Sequence, residues 1–270
     1  MSIGTLYVCA SPIGNYKDTS QRLIDTIESV DHVAAEDTRV TGLLLQHIGI
    51  KRPLIRVEKH NEAKQISHVL SLLNNGESIA LLSDAGTPAI SDPGSYLVQN
   101  CVEAGVRIVP IPGPSAVTAV LSVAGVPADA FHFLGFLPKK DAERETLFKT
   151  WPSVPTVYFE TGKRIESSLA AAHQQLDISR LVIAKELTKD YETIWYSYEE
   201  WQKDISADPA KLKGEWVLLI QGRPKTSDSS SLDWAKELLD AGFSQKQILL
   251  IGQKYHGYKR NELYALLNEL

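Results

Sequence analysis

Side chains that could take up or release a proton follow two short apolar runs in the first half of this chain. Glu36 comes directly after one run, and His60 comes shortly after the next. Carboxylates and imidazoles act as general acids and bases when they are held within reach of a reacting group. Glu36 and Asp37 cannot both enter one slot from the same turn, so one of them is expected to cap a helix or to pair with Arg39. A hydrogen-bonded surface histidine is the alternative interpretation of His60.

A loop between Ser83 and Gly94 has the composition of a ligand cradle. It reads SDAGTPAISDPG, with two glycines and two prolines. The glycines permit positive φ and close approach of the main chain, while the prolines stiffen the loop. A rigid main chain with few bulky side chains suits a flat ligand, although such a segment by itself could equally be a wide turn. A second stiff turn, from Pro110 to Ala116, favours the cradle.

The elements that must position these residues alternate between strands and helices. Five apolar runs each end in a polar, Gly- or Pro-rich segment, and they cover residues 5–10, 32–35, 54–57, 78–82 and 107–111. Between and after them, apolar residues recur at helical spacing over 19–30, 41–48, 64–74, 95–104 and 115–123. This alternation predicts βαβ units and a mostly parallel sheet. The carboxyl ends of its strands would share one edge, where open α/β proteins bind their ligands.

The second half of the chain has a different pattern and predicts a second domain. Apolar runs cover 131–137, 156–159, 181–184, 193–196 and 216–220, with one long helix at 164–176. The later runs leave no room for helices between them, which favours antiparallel pairing. Three helical segments follow a polar linker. The expected organisation is an α/β domain (1–125), a second α/β domain that closes a cleft (126–222), the linker (223–230) and a small helical domain (231–270).

Composition argues against several classes of protein. The formal net charge of −5 disfavours a protein that holds nucleic acid by bulk positive charge, but leaves open a local basic rim for RNA. No apolar stretch approaches the roughly 20 residues that span a bilayer, and neither cysteine has a CxxC or His-rich neighbourhood. We therefore expect a cytoplasmic protein with no membrane contact and no metal site. The usual phosphate cradles, GxGxxG and GxxxxGK(S/T), do not follow the first strand, which disfavours dinucleotides and nucleoside triphosphates as ligands.

Seven segments in a fixed order carry a resemblance to a known family. They are SPIGNYKD, AAEDTR, HNE, SDAGTPAISDPG, PIPGPSA, GFLPKK and ELTK. In order and spacing they resemble the bacterial small-subunit rRNA methyltransferase I family of the tetrapyrrole-methylase superfamily, over nearly the whole chain. The resemblance implies a two-domain tetrapyrrole-methylase-like fold, S-adenosyl-L-methionine as cofactor and a homodimer. It also implies 2′-O-methylation of a cytidine ribose near the decoding site of small-subunit (16S) ribosomal RNA, as naked RNA or in the assembled small subunit.

The same resemblance implies a set of site residues. Those for the cofactor are Pro12, Gly14, Asp84, Ala85, Gly86, Thr87, Pro88, Ile90, Ser115, Ala116, Phe159, Ala184, Glu186, Gly214, Glu215, Trp216 and Val217. Those for RNA, which rest largely on the family, are Arg39, Lys139, Lys140, Lys163, Arg164, Lys185 and Lys189. The family usually has Pro-His where this chain has Gly162 and Lys163, which leaves the role of that corner open.

Methyl transfer from a sulfonium mainly requires that the attacking oxygen be aligned and deprotonated. Glu36 or His60 is the hypothesised proton acceptor. Two other functions stay open, namely a precorrin-type tetrapyrrole methyltransferase and a non-catalytic ribosome-binding factor that kept the fold. The segments AEDTR and GFLPKK favour the rRNA branch over the former. Intact glycines and acidic residues in all five loops argue against the latter.

Overall fold

The computed structural model describes residues 3–57, 62–225, 233–255, 258 and 260–267. These residues belong to two compact units, Met1–Arg223 and Pro224–Leu270. Both β-sheets lie in the first unit. The predicted α/β class is confirmed, whereas the division of this unit near residue 125 stays a prediction.

A five-stranded parallel sheet forms the first half of the chain, as the alternating pattern predicts. Its strands are paired in the order β3-β2-β4-β1-β5. They are β1 (Thr5–Cys9), β2 (His32–Ala35), β3 (Leu54–Arg56), β4 (Ile79–Leu82) and β5 (Arg107–Ile111). The central strand β4 is buried along its whole length, as expected for a parallel strand that is covered by helices on both faces.

Five helices accompany this sheet and are each within a few residues of their predicted bounds. They are α1 (Gln21–Ser29), α2 (Thr38–His47), α3 (Glu62–Asn74), α4 (Ser95–Glu103) and α5 (Ala116–Val123). Helix α1 begins where the Ser20 hydroxyl accepts a hydrogen bond from the Leu23 N–H, which satisfies a free donor of the first turn. Leu23 and Ile27, one turn apart, are fully buried against the sheet.

A mixed five-stranded sheet forms the second half. The strands are β6 (His132–Phe136), β7 (Thr156–Thr161), β8 (Leu176–Lys185), β9 (Thr193–Trp195) and β10 (Glu215–Pro224), in the order β6-β7-β10-β8-β9. Strand β7 is parallel to β6 and antiparallel to β10, and β8 is antiparallel to β9. The remaining helices of this half are α6 (Asp141–Lys149), α7 (Ile165–Gln175) and α8 (Tyr198–Ala207).

Helix α8 corrects the prediction that the later strands leave no room for helices. It lies between β9 and β10, and it begins where the Ser197 hydroxyl accepts a hydrogen bond from the Glu200 N–H. Trp201 and Ile205, four residues apart, are its buried side chains. This segment has few apolar residues, so the sequence gives a weak helical pattern. The helix is stabilised because Trp201 and Ile205 pack into the core that includes Trp216.

The second unit contains three helices, α9 (Asp233–Asp240), α10 (Gln245–Tyr255) and α11 (Arg260–Leu267). They surround a small apolar core of Ala235, Ile248 and Leu263. Gly242 has a left-handed φ of +85°, which suits the residue that follows a helix. Most of the predicted linker, and the end of the third predicted helix, lie outside the described residues. Across the described ranges, no helix is long and apolar enough to cross a membrane.

Two glycine substitutions should have opposite effects on the free energy of unfolding. A Cβ at Gly162, in the turn after β7, would lie 1.9 Å from the Leu212 carbonyl oxygen, so Gly162→Ala should destabilise by about 2 kcal/mol or more. A Cβ at Gly42, inside α2, would meet nothing within 4 Å, so Gly42→Ala should stabilise by about 0.5 to 1 kcal/mol. Denaturant unfolding measures both. Equal stability of Gly162→Ala and wild type would contradict the close approach.

Candidate functional site

A main-chain contact joins the loops that follow β1 and β4. The N–H of Ser11 donates to the Gly86 carbonyl at 2.9 Å, and the N–H of Gly86 donates to the Ser11 carbonyl at 3.2 Å. The Ser11 hydroxyl also donates to the Ser83 carbonyl at 2.9 Å. Gly86 has a φ of +74°, which a residue with a side chain adopts only under strain. The contact therefore presents bare main chain at the carboxyl edge of the sheet.

A cavity of about 380 Å³ opens where this edge meets the second sheet. Ser115 and the loop after β4 line the same cavity, as predicted from the parallel sheet. Eleven residues of the predicted cofactor set line it, namely Ala85, Gly86, Thr87, Ile90, Ser115, Ala116, Phe159, Gly214, Glu215, Trp216 and Val217. The first six come from the loops that follow β4 and β5 and from the start of α5, and the other five from β7, β10 and the turn before β10. Both halves of the first unit therefore contribute walls.

Six residues of the predicted cofactor set are not part of the cavity wall. Pro12, Pro88 and Ala184 are buried behind it. Gly14 lies against the Lys189 side chain, where a Cβ would come within 2.4 Å of Lys189 Cγ. Asp84 accepts a hydrogen bond from the Asp37 N–H at 3.1 Å, and Glu186 accepts one from the Glu215 N–H at 2.7 Å. These six shape or support the loops that carry the wall.

The cavity also has lining residues that the sequence did not predict. They are Ile13, Ser91, Asp92, Val117, Phe136, Glu160, Thr161 and Leu187. Ser91 and Asp92 belong to the same SDAGTPAISDPG loop as the predicted residues, so the motif itself could have indicated them. Phe136 lies within the GFLPKK segment and packs edge-on against Phe159, with ring centres 5.7 Å apart. Nothing in the sequence showed which way the others face.

Three carboxylates make the edge of the cavity acidic. Burial raises the pKa of Glu36, and repulsion from Asp84 and Asp92 adds to the shift. Burial likewise raises the pKa of Asp84 and of Asp92, and neighbouring carboxylates add to both shifts. Burial and mutual repulsion both disfavour the charged forms of these carboxylates, and a cation at this edge would favour them. The acidic edge formed by Glu36, Asp84 and Asp92 is therefore suited to a cationic ligand.

Asp37 is the member of the Glu36–Asp37 pair that caps a helix. Its carboxylate accepts a hydrogen bond from the Arg39 N–H at 2.8 Å and pairs with the Arg39 guanidinium at 2.6 Å. Hydrogen bonds from Arg39 hold the pKa of Asp37 well below its usual range. This leaves Glu36 as the proton-acceptor candidate of this turn. The other candidate, His60, lies outside the described residues.

A small polar network supports the wall that β10 contributes. Glu186 has a φ of +50°, and its carboxylate accepts hydrogen bonds from the Glu215 N–H and from Lys189 Nζ, the latter at 3.1 Å. Lys189 also pairs with the Glu215 carboxylate at 2.8 Å. Burial opposes ionisation of Glu186, but the hydrogen bonds outweigh it and lower the pKa of Glu186. The network holds the end of β8 against the start of β10.

The predicted RNA-binding side chains fall into two groups. Arg39, Lys139, Lys140 and Lys163 are exposed, although Arg39 pairs with Asp37 and Lys140 with Glu143. The other three are held by internal contacts. Arg164 pairs with the buried carboxylate of Glu160 at 2.6 Å, Lys189 belongs to the network just described, and Lys185 is buried over the Trp216 ring. The lysines and arginines that the sequence predicted as one RNA-binding rim are therefore partly exposed and partly held by contacts within the protein.

Both cysteines are buried and unpaired, as predicted for small apolar residues. Burial raises the pKa of the Cys9 thiol to about 12 and that of Cys101 to about 11. Within the ranges that the structure describes, no three His, Cys, Asp or Glu side chains are grouped in a way that could hold a metal ion.

Asp92→Asn should stabilise the protein near neutral pH but not in acid. Because the pKa of Asp92 is raised in the folded protein, the unfolded chain releases this proton first as pH rises. The free energy of unfolding of the wild type therefore falls as pH rises through the raised pKa. The melting temperature of the variant should exceed that of the wild type at about pH 7 and match it at about pH 3.

Thermal unfolding followed by circular dichroism measures this difference. Asp25→Asn is the control, because Asp25 is exposed on α1 and its partner is the equally exposed Gln21. A melting temperature of Asp92→Asn that does not exceed that of the wild type at neutral pH would show that Asp92 is not destabilised by its surroundings.

Comparison with known proteins supports the similarity that the sequence segments indicate. The family model of tetrapyrrole (corrin/porphyrin) methylases matches residues 5–200. Ribosomal RNA small subunit methyltransferase I of Escherichia coli O157:H7 is 41% identical over 269 residues, which cover 97% of this chain and 94% of that protein. The protein of the same name from Haemophilus influenzae is 40% identical over 272 residues, with 97% and 95% covered.

Among solved structures, diphthine synthase is similar with a TM-score of 0.59 at 18% identity, and the match covers 80% of this chain and 89% of that chain. Similarity at that level of identity concerns the fold alone. The matched family model and the relatives at about 40% identity go further, and they confirm the resemblance. This chain belongs to the tetrapyrrole methylase family, in its branch of ribosomal RNA small subunit methyltransferase I proteins.

Proposed function

We propose that this protein is an S-adenosylmethionine-dependent methyltransferase whose substrate is the RNA of the small ribosomal subunit. The finer proposal is transfer to the 2′-oxygen of a cytidine near the decoding site, by a cytoplasmic homodimer. The names of the relatives support the substrate class. The observation that carries the proposal is the cavity in which the bare main chain of Gly86 and the residue Ser115 face β7 and β10.

The cavity fits S-adenosylmethionine in size, surface and charge. Its volume of about 380 Å³ is within the range of roughly 300 to 1,000 Å³ that is usual for small-ligand sites. Ile13, Phe159 and Val217 give it an apolar wall, while Asp92 puts a carboxylate into it. Burial and neighbouring carboxylates raise the pKa of Asp92, and a positive sulfonium beside it would favour its charged form. When bound, S-adenosylmethionine supplies a methyl carbon that is already activated for displacement.

The residues of the chain then have separate tasks. The main chain of the loop after β4 positions the ligand, because Gly86 leaves no side chain between it and the cavity. The apolar side chains exclude water, and the acidic edge balances positive charge. Glu36 accepts the proton of the attacking oxygen, a role for which a raised pKa is an advantage. His60 remains the second candidate for that role.

RNA approaches through the exposed basic side chains. Lys139, Lys140 and Lys163 are exposed in the second half of the first unit, and Arg39 is exposed beside the acidic edge. Phosphate contacts of this kind position a nucleic acid without reading its sequence. A ribose that is to be methylated must be presented unpaired or splayed, which is how proteins usually recognise specific RNA sites.

Transfer of label from S-adenosylmethionine tests the proposal. Methyl-labelled S-adenosylmethionine is incubated with the protein and with small ribosomal subunits, naked small-subunit RNA or a precorrin. We expect label in the RNA of one of the first two. Because a 2′-O-methyl group blocks alkaline cleavage of the next phosphodiester, the label should appear in an alkali-resistant dinucleotide. Label in mononucleotides would contradict the 2′-oxygen, and label in the precorrin would favour a tetrapyrrole methyltransferase. Binding to subunits without any transfer would favour a non-catalytic factor.

Glu36→Gln should slow methyl transfer by about 100-fold or more, which is the usual effect of removing a general base. Glutamine keeps the size of the side chain but cannot take the proton. The stabilisation of the protein by S-adenosylmethionine in thermal unfolding should be retained, because Glu36 is not part of the cavity wall. Glu28→Gln, on the exposed face of α1, is the control. Wild-type rates in both Glu36→Gln and His60→Asn would remove these two residues as proton acceptors.

A further inference from the structure

A second hollow, of about 290 Å³, lies next to the cofactor cavity. Its wall includes Lys185, Lys211, Lys213 and Tyr191, and we name it the lysine hollow. Glu186 also lines it, and through its hydrogen bond to the Glu215 N–H it connects the hollow to a residue of the cavity wall. The two spaces therefore share a partition formed by the end of β8 and the start of β10.

Lys185 is the unusual residue of the lysine hollow. It is only 8% exposed, yet it forms no hydrogen bond and no ion pair with any residue in the described part of the chain. The centre of the Trp216 ring is 6.0 Å from its ammonium, and its charge also acts on the adjacent Glu186 carboxylate without a direct ion pair. A buried ammonium that no anion contacts directly is costly, so an anion bound at this point would relieve the cost.

The carboxylates around the hollow already serve other groups. Glu186 accepts hydrogen bonds from the Glu215 N–H and from Lys189. Asp208 accepts one from the Ala210 N–H at 3.1 Å, and Asp204 pairs with Lys211 at 2.5 Å. Lys213 is exposed and has no ion pair among the residues described. Two ammonium groups, those of Lys185 and Lys213, are thus left to attract an external anion.

Tyr191 adds an aromatic surface at the same place. Its side chain lies in the turn between β8 and β9, lines the hollow and is 78% exposed. A large exposed aromatic ring has no role in the core. Positively charged grooves with exposed aromatic rings are how proteins hold single-stranded nucleic acid, because phosphates pair with the cations while bases stack on the rings.

We propose that the lysine hollow binds a nucleotide of the RNA substrate, next to the one that is methylated. Its phosphate lies against Lys185 and Lys213, and its base stacks on Tyr191. This inference rests on the proposed function, since it assumes an RNA substrate, and it adds a subsite outside the cofactor cavity. The shared partition explains how one RNA strand could occupy the subsite while its neighbouring ribose reaches the cavity.

The test measures binding of a fluorescein-labelled single-stranded RNA, by anisotropy, over a series of salt concentrations. Lys185→Met and Lys213→Met should each reduce the slope of log K against log salt by about 0.7, the value for one lost phosphate contact in a single strand. Tyr191→Ala should weaken binding by about tenfold, and Tyr191→Phe should restore it, because phenylalanine keeps the stacking surface. Lys149→Met, on an exposed lysine of α6 outside the hollow, should behave as the wild type.

Several outcomes would overturn the proposal. Wild-type affinity and salt slope in Lys213→Met and Tyr191→Ala would do so, even if Lys185→Met failed to fold, since both altered side chains are exposed. So would thermal stabilisation by inorganic phosphate or AMP that is lost in Lys185→Met while RNA binding is unchanged, because the hollow would then serve a free phosphate compound. If the wild type labels small subunits and the variants have the same KM for them as the wild type, the proposed subsite is refuted but the proposed function is not. Absence of transfer by the wild type would instead refute the proposed function.

Discussion

The reciprocal hydrogen bonds between Ser11 and Gly86 are the contact on which the site depends. Strands β1 and β4 are neighbours in the parallel sheet, so the loops that follow them leave the sheet side by side. The main-chain pair and the hydrogen bond from the Ser11 hydroxyl to the Ser83 carbonyl fix the loop after β4, with no side chain at Gly86 itself. Because Gly86 has a left-handed φ, the loop can turn there and run on past Ser115 towards the second sheet. The cavity proposed for the cofactor follows from this local geometry.

In the first unit, carboxylates gather at the cavity proposed for a cation, and ammonium groups gather at the hollow proposed for an anion. The acidic edge of Glu36, Asp84 and Asp92 lies at the cavity, where a cationic methyl donor is proposed. The lysine hollow lies beyond a partition in which Lys189 bridges Glu186 and Glu215. A protein with a net charge of −5 can therefore offer a local anion site without a generally basic surface. The opposite local charges would suit a polyanion and a cation bound in adjacent places.

The fold by itself says little about the substrate. Diphthine synthase shares this fold at 18% identity, and the family model is that of tetrapyrrole methylases. Functions differ among such proteins because they depend on side chains grafted onto a common frame. In this chain the candidates for that role are the exposed lysines of the second half, the ring of Tyr191 and the buried Lys185. They are the residues through which substrate choice would be exercised.

The sequence determined the alternation of strands and helices, because hydrophobic periodicity and glycine-proline turns are local properties. That alternation in turn places the loops after β1, β4 and β5 at one edge of the sheet. It also indicated most of the cavity wall through the SDAGTPAISDPG and PIPGPSA segments. Tertiary structure alone decided which side chains face inward. Val117 and Leu187 enter the cavity, Ala184 lies behind it, Lys185 is buried over Trp216, and α8 fits between β9 and β10. Burial and charge pairing depend on neighbours distant in sequence, which no local pattern records.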